Sequence, residues 1–323
     1  MRGGGRDFLD DSPLVAVGEV VWDIFPDRRV LGGAPVNVAY HLAALGLPVR
    51  VVTRVGQDEL GESTMAALAD LGLPLEAVQR DEELPTGQVR VEFGPDGEPR
   101  YEIVSPAAWD NIEAEKAVAA ARWGGGARAG DALKAETSKF EKGAADRGVR
   151  SGAGSDFALV FGTLAQRDPR SRAAIRRLAV AASFCYYDVN LRPPFTTRQL
   201  VLESLEIADL VKVNGEELKV IGAWLELSVS REEIAADLVR RYGLQALVVT
   251  EGGDGAWTRT ASATHRCPGV PTRVVDTVGA GDAFFAAMIA AYRAHLPWSE
   301  ILERANRRGA QVASRPGATP QLS

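Results

Sequence analysis

Apolar runs and polar intervals alternate along this chain in a rhythm that predicts strand, helix, strand, helix. Residues 14–25, "LVAVGEVVWDIF", form a nearly unbroken apolar run and predict a first strand. Gly32 and Gly33 then end a loop, Pro35 suits a first helical turn, and Val38, Leu42 and Leu45 recur at helical spacing. Residues 49–55 predict a second strand, and 58–72 an amphipathic helix with Leu60, Thr64, Leu68 and Leu71 on one stripe. The rhythm changes in "TGQVRVEF" and "RYEIV", where apolar and polar positions alternate about a "GPDGEP" turn. Residues 86–104 therefore predict a β-hairpin outside the main series, which either packs as decoration or closes over a site as a lid.

Residues 124–155 are short of large apolar side chains and rich in glycine and charge. They predict a flexible surface insertion with a loose helix around 131–142. Beyond it the alternation resumes, with strands at 157–161, 184–189, 209–213 and 246–250 and helices at 169–182, 197–207 and 229–243. Two short strands between 255 and 267 and two long helices, 279–294 and 298–313, complete the chain. Serial alternation with apolar strands predicts an α/β fold whose largely parallel sheet is covered on both faces. Ligands of such sheets gather beyond the carboxyl ends of the strands.

Composition narrows the function. With 323 residues, 46% apolar and 25% charged, the chain suits one large domain over residues 1–323 with a core that needs no disulfides. Cys185 and Cys267 are far apart and read as reduced thiols. A net charge of −6 argues against nucleic acid or an anionic membrane as partner. The polar start and the short longest apolar run, 283–292, lead us to expect a soluble, cytoplasmic protein. The chain has no G-x-x-x-x-G-K-[ST], G-x-S-x-G, H-E-x-x-H or C-x-x-C, and its three histidines are scattered.

Polar residues recur at the predicted strand ends. Asp23 lies at the end of the first strand; Asp188, Asn190 and Arg192 follow the strand at 184–189; Asn214 and Glu217 follow the next. Thr250 with Gly252, Gly253 and Gly255 follows another. Any one of these reads equally well as a cap or turn, as "VNGEE" does for a helix start. Their recurrence points to a site. In "DTVGAGDAFF", residues 276–285, a helix starting at Gly279-Ala280-Gly281 presents unpaired N–H groups and the positive end of its dipole. That is an anion hole suited to a phosphoryl group in transfer. Asp282 at its edge either caps the helix or takes a proton from an attacking hydroxyl. The conformational cost of two glycines, and competition between a cap and an anion for the same N–H groups, weigh against the cap.

"DTVGAGDAFFAAM" resembles the C-terminal signature of the PfkB (ribokinase-like) carbohydrate kinases, and "LGGAPVNVAYHLAALG" resembles their N-terminal glycine signature. "VNGEE" and "TEGGDG" match, in order and spacing, the family's Asn-x-x-Glu element and nucleotide loop. The resemblance spans residues 14–318 apart from the stretch near 117–155. Ala34-Pro35, "GEVVWDIFP" and "DVNLRPPF" are similar to bacterial fructokinases. It implies a ribokinase-like three-layer α/β/α fold with a mostly parallel central sheet and a small β lid. It also implies transfer of the ATP γ-phosphoryl group to a primary hydroxyl of a sugar, D-fructose first, with 2-keto-3-deoxygluconate, ribose or a nucleoside as alternatives. A non-catalytic sugar-binding regulator is a further alternative, disfavoured by the intact Asp282 turn.

Carried onto this chain, the resemblance makes Asp282 the base and Gly279, Ala280 and Gly281 the anion hole, with Arg192 neutralising phosphate or fixing substrate. Asp23, Gly32, Gly33 and Asn37 would hold the sugar. Asn214, Thr250, Gly252, Gly253 and Gly255 would line the nucleotide, with Asn306 near adenine. Glu217 would position Mg²⁺ through water, and Asp276 with the backbone at Gly317 would hold a monovalent cation such as K⁺. Monomers and homodimers paired through their lid hairpins both fit the family pattern.

Overall fold

The computed structural model describes residues 12–93, 99–122 and 157–322. The chain opens with β1 (Leu14–Val17), β2 (Val21–Ile24), β3 (Arg29–Gly32) and α1 (Ala34–Ala44). Next come β4 (Val49–Gly56), α2 (Glu59–Asp70), β5 (Val78–Asp81), β6 (Gln88–Phe93), β7 (Pro99–Ile103) and α3 (Ala114–Ala121). β8 (Ala158–Gly162), α4 (Pro169–Ala181), β9 (Cys185–Asp188), α5 (Arg198–Ile207), β10 (Leu210–Asn214) and α6 (Gly215–Trp224) follow. The last part holds α7 (Arg231–Tyr242), β11 (Ala246–Thr250), β12 (Gly255–Arg259), β13 (Thr264–Pro268), α8 (Ala280–Arg293) and α9 (Trp298–Ala313).

A nine-stranded sheet runs in the order β13-β12-β11-β10-β9-β8-β1-β4-β5. It is parallel from β11 to β5, and β12 and β13 add an antiparallel edge. Successive side chains of a strand point to opposite faces, and here both faces are dry. Val15 and Val17 join one core cluster with Leu178, Leu205, Ile221 and Leu238 of α4–α7. Leu14 and Ala16 join the other with Leu42, Leu68, Phe285 and Ile301 of α1, α2, α8 and α9. Two buried faces explain why the strands read as continuous apolar runs, and they give the three-layer, ribokinase-like α/β/α arrangement that the resemblance implied.

A second sheet, β3-β2-β6-β7, stands apart from the first. Its β2 and β3 are antiparallel, β2 and β6 parallel, and β6 and β7 antiparallel. This corrects the first predicted strand. Residues 14–25 are two strands in two sheets, separated at Gly18, whose φ is 150°. The apolar run hides the break because Val20, Val21 and Trp22 after it are buried, like Val15 and Val17 before it. Asp23 therefore projects from the second sheet and does not lie at the end of β1. The excursion from the main sheet is also larger than the hairpin alone, taking in β2 and β3.

β5 was not anticipated. Its sequence, Val78–Asp81, carries no apolar run, and its buried positions are the polar Gln79 and Asp81. The predicted insertion at 124–155, with its helix around 131–142, lies outside the described residues. Among the described residues no helix is long and apolar enough to cross a membrane.

Candidate active site

α8 begins at Gly279, which adopts φ 75° and has no side-chain cap. A Cβ at Gly279 would lie 2.5 Å from both Cα and Cβ of Ala318, so the turn needs glycine for space as well as for conformation. Asp282 follows in the first turn but caps nothing. Its Oδ2 accepts a 2.8 Å hydrogen bond from Asn37 Nδ2, a side chain 245 residues earlier in the chain. The capping reading of Asp282 therefore fails. Burial raises its pKa, while the Asn37 hydrogen bond and the charges of Lys212 and Arg192 pull the other way. The Ala280 N–H donates to the Thr277 carbonyl at 3.2 Å, so the anion hole expected of Gly279, Ala280 and Gly281 rests on the two glycines.

Asn37 reaches Asp282 because Gly33 starts α1 at φ 116°, where a Cβ would meet the Glu19 carbonyl at 2.5 Å. The antiparallel register of β2 and β3 sets Gly32 opposite Val21, and a Cβ at Gly32 would lie 3.4 Å from Asp23 Oδ2. Burial raises the pKa of Asp23. Asp23, Gly32, Gly33, Asn37 and Asp282 thus form one connected wall between the second sheet and α8. Asn37 is buried, and its Oδ1 has no hydrogen-bond partner among the described residues.

Two residues that the sequence analysis passed over belong here. Lys212, in β10, hydrogen-bonds both Asp188 oxygens at 3.0 Å, and its Nζ would sit 3.4 Å from a Cβ at Gly281. Burial opposes the ammonium charge, but Asp188, Glu217 and Asp282 outweigh it and raise the Lys212 pKa. A charged donor therefore stands beside the glycine turn. Glu19, between β1 and β2, is 5% exposed and its Oε2 has no hydrogen-bond partner among the described residues. Burial pushes its pKa up to about 7, against backbone N–H groups and the Arg192 charge, with Asp282 adding to the rise. Both residues interrupt apolar runs, "VGEVV" and "LVKVN". A charge inside a buried apolar run was the available signal.

Of the remaining expected residues, Arg192, Asn214, Glu217, Thr250 and the 252–255 glycines lie at or after strand ends, whereas Asn306 lies in α9 and Asp276 and Gly317 in the loops before α8 and after α9. Arg192 is exposed, donates Nη1 to the Leu191 carbonyl at 3.0 Å, and bears electrostatically on both Glu19 and Asp282. Asn214 caps α6, its Oδ1 accepting from the N–H groups of Glu216 (3.0 Å) and Glu217 (2.8 Å). Glu217 returns the bond, Oε2 accepting from Asn214 N at 2.8 Å, while Oε1 accepts from Leu191 N at 2.8 Å. The motif thus ties the ends of β9 and β10 together. Thr250 lies opposite Asn214 in the β10–β11 register. After it, Gly252 and Gly255 take φ of 58° and 104°, with Gly253 between them. Asn306 is turned onto the end of β13, donating to the carbonyls of Cys267 (3.3 Å) and Pro268 (3.1 Å). Asp276 Oδ2 accepts from Gly317 N at 2.9 Å and Oδ1 from Val278 N at 3.0 Å, which brings the two residues expected at a monovalent cation together.

Among the described residues no three His, Cys, Asp or Glu side chains form a ready metal cage. The donors near the turn are single carboxylates with lone pairs to spare, a set that suits Mg²⁺ carried largely by phosphate and water. The arrangement brings together a buried carboxylate, a glycine turn at a helix start, a lysine beside that turn, and the amide of Asn37.

Residues 16–123 and 158–323 match the model of the pfkB family carbohydrate kinases. The fructokinase of Vibrio alginolyticus is 27% identical over 94% of this chain and 94% of its own. A fructokinase from Vibrio cholerae O395, solved with fructose, ADP and calcium bound, superposes with a TM-score of 0.73 at 22% identity, covering 96% of this chain and 95% of that one. An aminoimidazole riboside kinase from Salmonella enterica, solved with aminoimidazole riboside and an ATP analogue, gives 0.71 at 21% identity over 95% of both chains. A family match across most of the sequence, joined to this fold and to the Asn37–Asp282 turn, decides the assignment: the chain belongs to the pfkB family of carbohydrate kinases.

Proposed function

We propose that this carbohydrate kinase transfers the γ-phosphoryl group of ATP to a primary hydroxyl of a small sugar, converting D-fructose to fructose 6-phosphate. The observation that carries the reading is the carboxylate of Asp282, held by Asn37 at the glycine-rich start of α8. In the step, Asp282 takes the hydroxyl proton as the sugar oxygen bonds to the γ-phosphorus, and the bond from that phosphorus to the β-phosphate oxygen breaks to release ADP. The N–H groups of the Gly279–Gly281 turn face the charge developing on the transferred group, with Lys212 and Arg192 as the neighbouring cations. Asp23, Gly32, Gly33 and Asn37 hold the sugar hydroxyls, a carboxylate and an amide being suitable partners for adjacent diols.

Asn214, Thr250, Gly252, Gly253 and Gly255 line the nucleotide, and Asn306 shapes its far wall through the β13 end. Glu217 is the carboxylate that would meet Mg²⁺ through water, and the ion would neutralise phosphate charge. Asp276 and the Gly317 backbone are the proposed monovalent cation ligands, their 2.9 Å hydrogen bond supporting the pairing. The second sheet is the proposed lid, since Asp23 projects from it toward the wall that Asn37 completes.

The similarity to an aminoimidazole riboside kinase keeps a riboside acceptor as the second reading. ADP release measured across fructose, ribose, 2-keto-3-deoxygluconate and aminoimidazole riboside separates the two. Fructose should give the highest kcat/KM; a riboside preference would overturn the fructose assignment, and no turnover with any acceptor would overturn the sugar-kinase reading.

A further inference from the structure

His41 lies one helical turn beyond Asn37, so both side chains leave α1 on the same face. It is fully buried. Its Nε2 lies 2.9 Å from the Ala318 carbonyl oxygen, and its Nδ1 lies 3.4 Å from Nη2 of Arg308. A carbonyl only accepts and a guanidinium only donates, so the two neighbours demand the same tautomer: hydrogen on Nε2, lone pair on Nδ1. Burial, reinforced by the Arg308 charge and opposed by the Ala318 hydrogen bond, brings the His41 pKa down to about 4. Both contacts need the neutral ring.

What His41 holds is the backing of the catalytic turn. Ala318 lies directly against Gly279, closely enough that no Cβ would fit between them. On either side of it the chain is fastened as well, Gly317 N to Asp276 Oδ2 and the Pro320 carbonyl to the Tyr40 hydroxyl at 3.1 Å. α1 therefore touches the catalytic turn twice: Asn37 directly on Asp282, and His41 through Ala318 on Gly279. Gly279 at φ 75° has no side chain and no capping bond of its own to hold that conformation.

We propose that His41 is a positioning residue for phosphoryl transfer, holding the residue 317–320 strap against Gly279 and so aiming the N–H groups of the turn relative to Asp282. Because it sits on the helix that carries Asn37, it ties the sugar wall and the anion hole to one rigid element. This deepens the kinase reading and rests on it.

The test compares full-length wild type with His41→Leu and His41→Gln, using the acceptor that wild type turns over best. Leucine fills the space but donates nothing; the glutamine amide can reach the Ala318 carbonyl. His41→Leu should lower kcat by about 10–100-fold, the scale of a roughly 1 Å misplacement, with KM for sugar and ATP within about twofold. His41→Gln should recover most of that loss. Full kcat in His41→Leu, or no recovery in His41→Gln, would overturn the proposal. If His41→Leu does not fold, ¹⁵N imidazole spectra of wild type decide. Of the three histidines, His41 should show the Nε2–H tautomer unchanged from pH 5.5 to 8 and shift when a non-hydrolysable ATP analogue binds. Titration in that range, or no response to the analogue, would sink the idea. A wild type inert toward every acceptor refutes the sugar-kinase reading instead, and leaves the spectra to judge His41.

Discussion

Replacing Asn37 by alanine should move the pH dependence of the reaction by a predictable amount. Asn37 Nδ2 donates to Asp282 Oδ2 at 2.8 Å, and the bond favours the ionised form of a carboxylate whose pKa burial has raised. A hydrogen bond to a charged group is worth about 1.5–3 kcal/mol, and one pKa unit corresponds to about 1.4 kcal/mol. Losing the bond should therefore lift the Asp282 pKa by about 1–2 units. The base must be ionised to take a proton, so the acidic limb of log kcat/KM against pH, which reports the free enzyme, should shift upward by the same amount. Below that limb Asn37→Ala should be about 10–100-fold slower than wild type beyond whatever it loses in sugar binding. Well above it only the binding loss should persist. Initial rates of ADP release at sub-saturating sugar from pH 5 to 9 give both profiles. An acidic limb that stays in place or moves downward would refute the argument that Asn37 tunes this base.

Asp282→Asn preserves the size of the side chain but removes the proton acceptor, so kcat should fall by about 10²–10⁴-fold with little change in ATP affinity; near-normal turnover would remove Asp282 from the chemistry. Glu19 has its pKa raised from 4.5 to about 7 in the fold, so the folded state loses stability as pH climbs through that window. Glu19→Gln should be more stable than wild type at pH 8.5, by up to about 3 kcal/mol, with the gain vanishing near pH 4.5. Urea midpoints at the two pH values test this, and a variant less stable at pH 8.5 would contradict it. Bound sugar should slow amide exchange in β6 and β7, while ATP alone slows it mainly at residues 250–255 and 279–282; a hairpin indifferent to sugar would not be a lid.

The sequence by itself determined the series of buried strands, the helices that alternate with them and the glycine turn before Asp282. These are local matters: a strand covered on both faces must be apolar throughout, and a backbone that approaches an anion or Ala318 must lack a Cβ. It did not reveal that residues 14–25 belong to two sheets. Periodicity registers burial and is blind to which layer does the burying, and Val20, Val21 and Trp22 are buried on either account. β5 escaped notice for the converse reason, since its interior positions are polar side chains satisfied by distant partners, as Gln79 is by Glu113. Lys212 and Glu19 stood in the sequence as charges out of place, but their meaning depends on Asp188 across the sheet and on Arg192 and Asp282 across the site. Only the tertiary structure could set Asn37 on Asp282, 245 residues away, and His41 behind Gly279 through Ala318. Chemistry of this kind is made by elements meeting at the strand ends, and spacing along the chain carries no record of which elements meet.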